Sequence, residues 1–559
     1  MTSNYAVEMR WDVKTPMRDE VQLSSDIYLP KADGPFPTVL IRTPYSNNTA
    51  DLIEKGRRLA NHGYACVIQD VRGRWDSEGS YYPFHQEGLD GFDTQQWIGE
   101  QPWSNGKIGM AGGSYLGCVQ WLSAPHRSQH LTCLAPRVMC NDYFRGLFYP
   151  GGAFQLNVAM TWGMRTSAHT AQNIAYHNWT EAFHTLPVRD MIELCGGNMP
   201  FWKDWVAHPI DDQYWAEINV ESQWSEIAAP ALNMGGWYDL YAKESFDNFN
   251  GLRLHGRTPE ARQSKLIVGP WPHRLSTCTR TGDIDFGDGS LVDLESLELR
   301  WFDFWLKGID NGIVDEPPLR LFIMGANQWR DEQEWPLART EWQHWHLHSG
   351  GQANTLRGDG TLAKEPSQDE PPDQFVYDPR YPVQTTGGNT CCSPEIVPWG
   401  PYDQRPVEMR NDVLCYTSEP LAEDLEVTGP IRAVIYAASD APDADWTAKL
   451  VDVSPTGYAM NLCDGIIRAR YRESFTAPTL IEPGVIYKYE IDIGVTGNVF
   501  LKGHSIRLEI SSSNFPRFDR NPNTGHTFGQ DTEMRPASQT IYHSREYPSH
   551  IALPVIPRN

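Results

Sequence analysis

Three polar residues, Ser114, Asp239 and His273, each lie just after a short apolar run that reads as a β-strand. Their segments are Gly112-Gly113-Ser114-Tyr115-Leu116-Gly117, Gly235-Gly236-Trp237-Tyr238-Asp239 and Gly269-Pro270-Trp271-Pro272-His273. A hydroxyl, a carboxylate and an imidazole are the parts of a catalytic triad, in which the imidazole activates the hydroxyl as a nucleophile. The three segments therefore predict hydrolysis by an activated serine.

The order Ser, Asp, His along the chain is the one that α/β-hydrolases use. We expect Ser114 to be the nucleophile, His273 the general base and Asp239 the residue that orients the imidazole. The usual nucleophile motif has its second glycine two residues after the serine, whereas here the glycine comes one residue later, at Gly117. Taken singly, Ser114 also fits a helix-capping serine, His273 a packing residue, and Asp239 the cap of a helix beginning near Leu240.

An oxyanion site needs hydrogen-bond donors aimed at the developing negative charge. The backbone N–H of Tyr115, the residue after the nucleophile, is the first expected donor. The His-Gly-Gly element that often supplies the second donor is absent, and Arg42-Thr43-Pro44-Tyr45 occupies its place. The hydroxyl of Tyr45 is therefore the predicted second donor.

Other acidic residues do not form a catalytic or metal-binding pattern. Asp283, Asp285 and Asp288 resemble a calcium loop, but their spacing fails the EF-hand pattern and no suitable glutamate follows. Asp303 lies on a predicted helix, where an ion pair or a capping role is expected. We expect neither a metal ion nor a cofactor.

The order of predicted elements explains how the triad is brought together. Strands are predicted over 38–42, 64–68, 107–111, 230–234 and 265–268, with helices over 51–62, 90–98, 115–124 and 291–307. This alternation predicts a doubly wound parallel sheet. The stretch from Asn141 to Ala229 is rich in tryptophan and helical spacing, which indicates an inserted helical cap.

The second half of the chain has a different pattern. Short alternating strands are predicted over 432–436, 447–453, 487–493 and 505–511, as in a β-sandwich or jelly roll, and the proline-rich stretch 365–382 is predicted to be an ordered loop. The predicted domains are therefore a core over 1–141 and 230–345, a cap over 142–229, and a jelly roll over 346–559.

Composition limits the partners. The net charge of −24 argues against nucleic acid and anionic membranes, and no apolar run is long enough to span a bilayer. The ten cysteines show no zinc-type spacing, and with no leader pattern at the N-terminus they indicate reduced thiols in the cytoplasm. Cys391 and Cys392 are adjacent, which disfavours a disulfide between them. The expected partner is a small-molecule ester or amide, and the sequence leaves open whether the chain forms a homo-oligomer.

At these motifs the chain resembles the cocaine-esterase-like branch of the X-Pro dipeptidyl-peptidase superfamily, which includes α-amino-acid ester hydrolases and glutaryl acylases. The resemblance spans nearly the whole chain and rests on the triad segments, Arg42-Thr43-Pro44-Tyr45, Gln69-Asp70-Val71-Arg72-Gly73-Arg74, Ala448-Lys449-Leu450-Val451-Asp452-Val453 and Ser511-Ser512-Ser513-Asn514-Phe515-Pro516. It implies an α/β-hydrolase core, an inserted helical cap and a C-terminal jelly roll. It also implies the triad and oxyanion donors given above, with Phe148, Trp162 and Tyr241 around the acyl group.

Two departures from this family bear on the substrate. The esterase branch has an apolar pair on a loop after a double glycine, where this chain has Cys391 and Cys392, so the acyl pocket differs in shape. The α-amino-ester hydrolases have a carboxylate cluster just after the catalytic aspartate, where this chain has Leu240-Tyr241-Ala242-Lys243. We therefore expect a serine esterase for an apolar or aromatic acyl group. The alternatives are a peptidase or α-amino-ester or β-lactam acylase of the same superfamily and, remotely, an inactive hydrolase scaffold that binds a partner.

Overall fold

A ten-stranded sheet forms the centre of the first domain in the computed structural model, which describes residues 4–175 and 177–557. The strands up to residue 332 are β1 Val7–Pro16, β2 Gln22–Pro30, β3 Phe36–Thr43, β4 Ala65–Asp70, β5 Ser104–Gly113, β6 Leu131–Arg137, β7 Leu232–Gly236, β8 Lys265–Gly269, β9 Arg280–Thr281, β10 Ile284–Asp285, β11 Leu319–Ile323 and β12 Gln328–Glu332. The order in the sheet is β1-β2-β4-β3-β5-β6-β7-β8-β11-β12, and β9 pairs with β10 separately. The run from β4 to β11 is parallel, so the carboxyl ends of β5, β7 and β8 meet at one edge.

Helices cover both faces of this sheet. Those before residue 310 are α1 Ala50–Asn61, α2 Glu87–Gly99, α3 Tyr115–Ser123, α4 Leu156–Thr166, α5 Trp179–His184, α6 Met191–Leu194, α7 Trp202–Ala207, α8 Gln213–Ala216, α9 Ala242–His255 and α10 Leu294–Lys307. Every residue of β4, β7 and β8 is buried, as expected of parallel strands covered on both faces. The predicted end of α10 is observed, since Gly308 adopts a left-handed φ of 70° there.

The helical cap lies between β6 and β7 and contains α4 to α8. Its interior is aromatic: the ring of Phe148 lies 4.5 Å from that of Trp205 and 5.0 Å from that of Trp215. Trp162 on α4 stacks over Trp205 at 6.2 Å and over Phe84 of the core at 5.6 Å. The tryptophans of this segment therefore fix the cap onto the core beside the Ser114 turn.

The C-terminal domain is an eleven-stranded, largely antiparallel sheet system, and its apolar core continues into the first domain at residues such as Trp237, Phe246 and Leu321. Its elements are β13 Glu341–His348, β14 Thr361–Ala363, β15 Asp373–Tyr377, α11 Arg405–Glu408, β16 Leu414–Ser418, β17 Leu425–Ser439, β18 Asp445–Val453, β19 Ala459–Arg468, β20 Tyr487–Phe500, β21 Ser505–Ser511, β22 Ala537–Tyr542 and β23 His550–Ile556. The prediction of a loop over 365–382 was wrong at β15, which pairs with β22 along its length. Buried and exposed residues alternate in β15, but the flanking prolines hid that pattern.

Candidate active site

Ser114 occupies a sharp turn between the end of β5 and the first residue of α3. Its backbone has φ 57° and ψ −127°, a conformation rarely adopted by a residue other than glycine. The turn is held by the Ser114 N–H, which donates to the Arg137 carbonyl at 2.9 Å. Strain of this kind is kept where surrounding structure fixes it, and here it presents a serine hydroxyl at the carboxyl edge of the sheet.

The displaced glycine of the motif has a packing explanation. A Cβ at Gly117 would lie 3.0 Å from the Arg137 carbonyl oxygen and 3.3 Å from Cβ of Met139. The first turn of α3 therefore packs directly against the chain that leaves β6. Gly112, with φ 133°, allows the turn itself, so the two glycines serve different contacts.

Asp239 and His273 form a hydrogen-bonded pair after β7 and β8. Nδ1 of His273 lies 2.6 Å from Oδ2 of Asp239, whose side chain is fully buried. The other carboxylate oxygen accepts the Tyr241 N–H at 2.8 Å. Because α9 begins only at Ala242, Asp239 is not the cap of that helix, and its carboxylate is free to fix the imidazole with Nε2 pointing away from it.

Asn389 of the C-terminal domain holds the aspartate segment in place, and the sequence analysis did not identify it. Its side-chain amide donates to the carbonyl oxygens of Trp237 and Asp239 at 2.8 and 2.9 Å. A single asparagine between a double glycine and two cysteines gives no signal of this contact. The C-terminal domain therefore takes part in positioning Asp239.

Tyr45 lies at the carboxyl end of β3 with its hydroxyl against the cap. The Trp162 indole N–H donates to the Tyr45 oxygen at 2.9 Å, which leaves the phenolic hydrogen available to another acceptor. Burial raises the pKa of Tyr45, while Trp162 and the Ser114 hydroxyl act in the opposite direction. The phenol therefore stays protonated at neutral pH and can donate beside Ser114.

The N–H of Tyr115 belongs to the first residue of α3, where an amide has no acceptor within the helix. The Tyr115 side chain points elsewhere, and its hydroxyl donates to Glu87 at 2.8 Å. Glu87 in turn lies 2.8 Å from the buried guanidinium of Arg42, and burial raises the pKa of the Glu87 carboxyl. This chain of contacts fixes the start of α3, where the backbone N–H groups of the first turn point out of the helix end.

Arg74 connects the Tyr45 loop to the cap. Its fully buried guanidinium donates to the Pro44 carbonyl at 2.9 Å and to the Thr166 carbonyl, at the end of α4, at 3.0 Å. The neighbouring Trp75 indole also donates to the Pro44 oxygen, at 3.1 Å. Arg74 and Trp75 therefore hold the loop that carries Tyr45.

A small apolar cavity of about 20 Å³ opens beside Ser114. Its lining comprises Phe84, Ser114, Tyr115, Met139, Leu147, Val158, Trp162, Tyr241 and Cys392. Of the residues predicted to contact the acyl group, Trp162, Tyr241 and Cys392 are therefore at the cavity. Tyr241 also lies beside His273, at 6.0 Å between ring centroids, so it contacts both the cavity and the imidazole.

Phe148, which the resemblance places around the acyl group, is not among the residues that line this cavity. Its ring is 1% exposed and packs against Trp205 and Trp215, so it lies in the interior of the cap, behind the residues that line the cavity. The resemblance placed an aromatic residue in this region, but the short π-helical turn Phe144–Phe148 directs the ring inward.

Cys391 and Cys392 form a disulfide with each other, so the expectation of two separate thiols was wrong. Cys392 adopts a left-handed φ of 78°, which turns the chain sharply enough for adjacent sulfurs to meet. A ring nitrogen of His273 and the two sulfur atoms all lie within 4.8 Å of one another. In the described part of the chain, this is the one group of three histidine, cysteine or acidic side chains whose ligand atoms lie this close together, although the two sulfurs are not thiolates while they form the disulfide.

The calcium-like aspartates do not gather around a common point. Oδ1 of Asp285 accepts the Gly287 N–H at 2.9 Å, and Oδ2 of Asp283 accepts the Tyr458 hydroxyl at 3.2 Å. Their contacts belong to the loop and to its packing on the C-terminal domain.

The fold and the residue types at its carboxyl edge are those of a serine hydrolase with an α/β-hydrolase core and a C-terminal all-β domain. Comparison with known families agrees, since residues 19–274 match the X-Pro dipeptidyl-peptidase (S15 family) and residues 311–552 match the X-Pro dipeptidyl-peptidase C-terminal non-catalytic domain. The chain is 39% identical to the cocaine esterase of Rhodococcus sp. (strain MB1 Bresler), with 99% of each chain covered. The chain belongs to this family of serine hydrolases.

Solved structures show the same architecture over the full length. An aminopeptidase from a marine sediment Thaumarchaeota archaeon matches with a TM-score of 0.85 and 26% identity, covering 99% of this chain and 97% of that one. An α-amino-acid ester hydrolase matches with a TM-score of 0.83 and 25% identity at the same coverage. These comparisons confirm the predicted fold class and the ester-hydrolase chemistry at the level of the family. In the described residues, no helix combines the length and the apolar character needed to cross a membrane.

Proposed function

We propose that this protein hydrolyses carboxylic esters with a small, neutral, apolar acyl group through a covalent acyl-enzyme on Ser114. The observation that carries the proposal is the buried 2.6 Å contact between Asp239 and His273, at the sheet edge where Ser114 occupies its strained turn. The resemblance of the whole chain to the Rhodococcus cocaine esterase supports ester rather than peptide chemistry.

In the proposed acylation step, Oγ of Ser114 attacks the ester carbonyl carbon while Nε2 of His273 accepts the hydroxyl proton. Asp239 fixes the tautomer with the proton on Nδ1 and stabilises the imidazolium as it forms. The negative charge on the carbonyl oxygen is stabilised by the Tyr45 hydroxyl and the Tyr115 N–H. The imidazolium then protonates the alcohol, which leaves.

Deacylation repeats the sequence with water as the nucleophile. His273 removes a proton from water, the same two donors stabilise the second tetrahedral intermediate, and Ser114 leaves with its proton restored. No redox change and no further co-reactant enter the cycle.

The cavity supports a neutral acyl group. The side chains that line it beside Ser114 include no carboxylate, so nothing there would neutralise a substrate ammonium. A volume of about 20 Å³ holds about one water molecule, so a short acyl chain enters with little movement, whereas an aromatic acyl group must displace side chains. An α-amino-ester or aminopeptidase activity, as in the names of the two structural relatives, is the second candidate.

The decisive experiment compares p-nitrophenyl acetate, butyrate, benzoate and an α-aminoacyl ester on the wild-type protein and on Ser114→Ala. We expect acetate and butyrate to be cleaved with higher kcat/KM than the benzoate and the aminoacyl ester, and the variant to lose all four activities. A preference for the aminoacyl ester would favour the second candidate. Equal turnover by both proteins would refute Ser114 as the nucleophile.

A cytoplasmic location stays part of the proposal, supported by the free thiols of Cys66, Cys133 and Cys463.

A further inference from the structure

The Cys391–Cys392 pair is held firmly at the candidate active site. On one side, Asn389 is hydrogen-bonded to the backbone of the Asp239 segment. On the other, the Arg165 guanidinium of α4 donates to the Cys392 carbonyl at 3.3 Å and to the Ser393 hydroxyl at 3.1 Å. The two sulfurs are therefore fixed between the core and the cap, where they face the imidazole of His273.

The proposed catalytic imidazole is already oriented as a metal-binding histidine is. Its Nδ1 is bound to the Asp239 carboxylate, so Nε2 is the nitrogen left for another partner. A carboxylate on the far nitrogen is the usual partner of a histidine that ligates zinc. Both cysteine sulfurs lie within 4.8 Å of a ring nitrogen of this same histidine.

We propose that, once the Cys391–Cys392 disulfide is reduced, the two thiolates and Nε2 of His273 bind a thiophilic divalent cation such as Zn²⁺. Thiolate sulfur and imidazole nitrogen are the ligands that Zn²⁺ prefers, at about 2.3 and 2.0 Å, with a fourth position open to water. Those bond lengths place neighbouring ligand atoms about 3.5 to 3.8 Å apart. On binding, the two sulfurs must move apart to about 3.8 Å once the S–S bond is broken, and any nitrogen-to-sulfur separation near the 4.8 Å limit must shorten by about 1 Å.

The steps balance with a phosphine as reductant. The phosphine attacks one sulfur and the S–S bond breaks; water supplies the oxygen of the phosphine oxide and the hydrogens of the two thiols. Each thiol then releases its proton to solvent as its sulfur bonds to the cation, and His273 donates a lone pair. The disulfide form has no thiolate and so lacks two of the three ligands.

Occupation of this site blocks hydrolysis. The Nε2 lone pair that would accept the Ser114 proton is engaged by the cation. This part of the inference rests on the proposed role of His273, whereas binding itself does not. The vicinal cysteines therefore make the enzyme sensitive to thiophilic metals only when the pair is reduced.

The test is a Cd²⁺ titration of the full-length protein, before and after reduction with a phosphine and its removal. Thiols are counted in denaturant first, and we expect reduction to release two more. The reduced protein should then bind one Cd²⁺ per chain, seen as a thiolate-to-Cd²⁺ charge-transfer band, and lose esterase activity in proportion to that band. A chelator should restore the activity, and the oxidised protein should show neither effect at the same metal concentration.

Two variants make the result specific. Cys278→Ser removes an exposed thiol elsewhere and should leave both the charge-transfer band and the inhibition unchanged. Cys391→Ser combined with Cys392→Ser should abolish the band. If that double variant does not fold, the oxidised wild-type protein serves as the control of identical sequence.

Three results would overturn the inference: ten thiols before reduction, a charge-transfer band of equal size in the oxidised protein, or no band after two thiols are released. A band that appears without loss of activity would show that the cation is held without Nε2 of His273 and would overturn the proposed ligand set. A protein with no esterase activity in any state would refute the proposed function while the band still reports on the metal site.

Discussion

Replacing Tyr45 with phenylalanine tests the oxyanion site with the smallest change. The substitution keeps the ring and removes only the hydroxyl. That hydroxyl accepts the Trp162 indole N–H at 2.9 Å and lies beside Ser114 with its own hydrogen free. The proposed backbone donor of Tyr115 is unaffected, so one of the two proposed donors is removed.

Two separate costs follow from this geometry. Losing one oxyanion donor lowers kcat by about 10²- to 10³-fold, which corresponds to about 2.7–4 kcal/mol of transition-state stabilisation. The Trp162 indole N–H is also left without its acceptor in a side chain that is 7% exposed, and an unpaired buried donor costs about 1–3 kcal/mol of the free energy of unfolding. We therefore expect a large loss of kcat, a small change in KM and a moderate loss of stability.

The assay measures kcat and KM on p-nitrophenyl acetate and the free energy of unfolding in urea for wild type, Tyr45→Phe and Trp162→Phe. Trp162→Phe removes the indole donor but keeps the phenol, so its kcat should fall much less than that of Tyr45→Phe. A Tyr45→Phe protein with kcat within about threefold of wild type would fall far short of the expected loss and refute the donor role of Tyr45. Equal losses of kcat in both variants would show that the effect comes from disturbed packing.

Three further substitutions test other parts of the site. Asp239→Asn should lower kcat by about 10⁴-fold with little change in KM, because the amide favours the wrong imidazole tautomer. As the control, Asp288→Asn in an exposed loop should match wild type in the same kinetic assay. Arg74→Lys should lower kcat and the cooperativity of thermal unfolding, because a lysine ammonium cannot reproduce the forked guanidinium that donates to two backbone carbonyls. Wild-type kinetics in this variant would contradict the role given to Arg74 in holding the Tyr45 loop. Gly117→Ala should destabilise the protein by about 1–3 kcal/mol in urea unfolding, since its Cβ meets the Arg137 carbonyl at 3.0 Å, and an unchanged midpoint would show that α3 can shift without cost.

The sequence was sufficient to place the three proposed triad residues after strands of one parallel sheet. Ser114, Asp239 and His273 follow β5, β7 and β8, and parallel strands bring their carboxyl ends to one edge of the sheet, so all three residues come from that edge. The pocket residues Trp162 and Tyr241 came from the family resemblance, and the structure places both at the cavity.

The sequence was not sufficient where a contact joins distant segments. The hydrogen bond of Asn389 to Asp239 joins residues 150 positions apart in the sequence, and that of Arg74 to Thr166 joins residues 92 positions apart. No local sequence pattern predicts either hydrogen bond. The Cys391–Cys392 disulfide depends on the left-handed backbone of Cys392, which the sequence does not specify. The inward direction of the Phe148 ring was also not predictable, because residue type does not determine which way a ring points from an irregular turn.

The central claim is that hydrolysis passes through an acyl group on Ser114, and peptide mapping of the enzyme during turnover tests it most directly. The protein is mixed rapidly with p-nitrophenyl butyrate, quenched in acid within the first turnovers, digested and analysed by mass spectrometry. The account predicts one butyryl group, on the peptide that contains Ser114, formed with a matching burst of p-nitrophenol and absent from Ser114→Ala. An acyl group on a different residue, or an undiminished burst in Ser114→Ala, would contradict it.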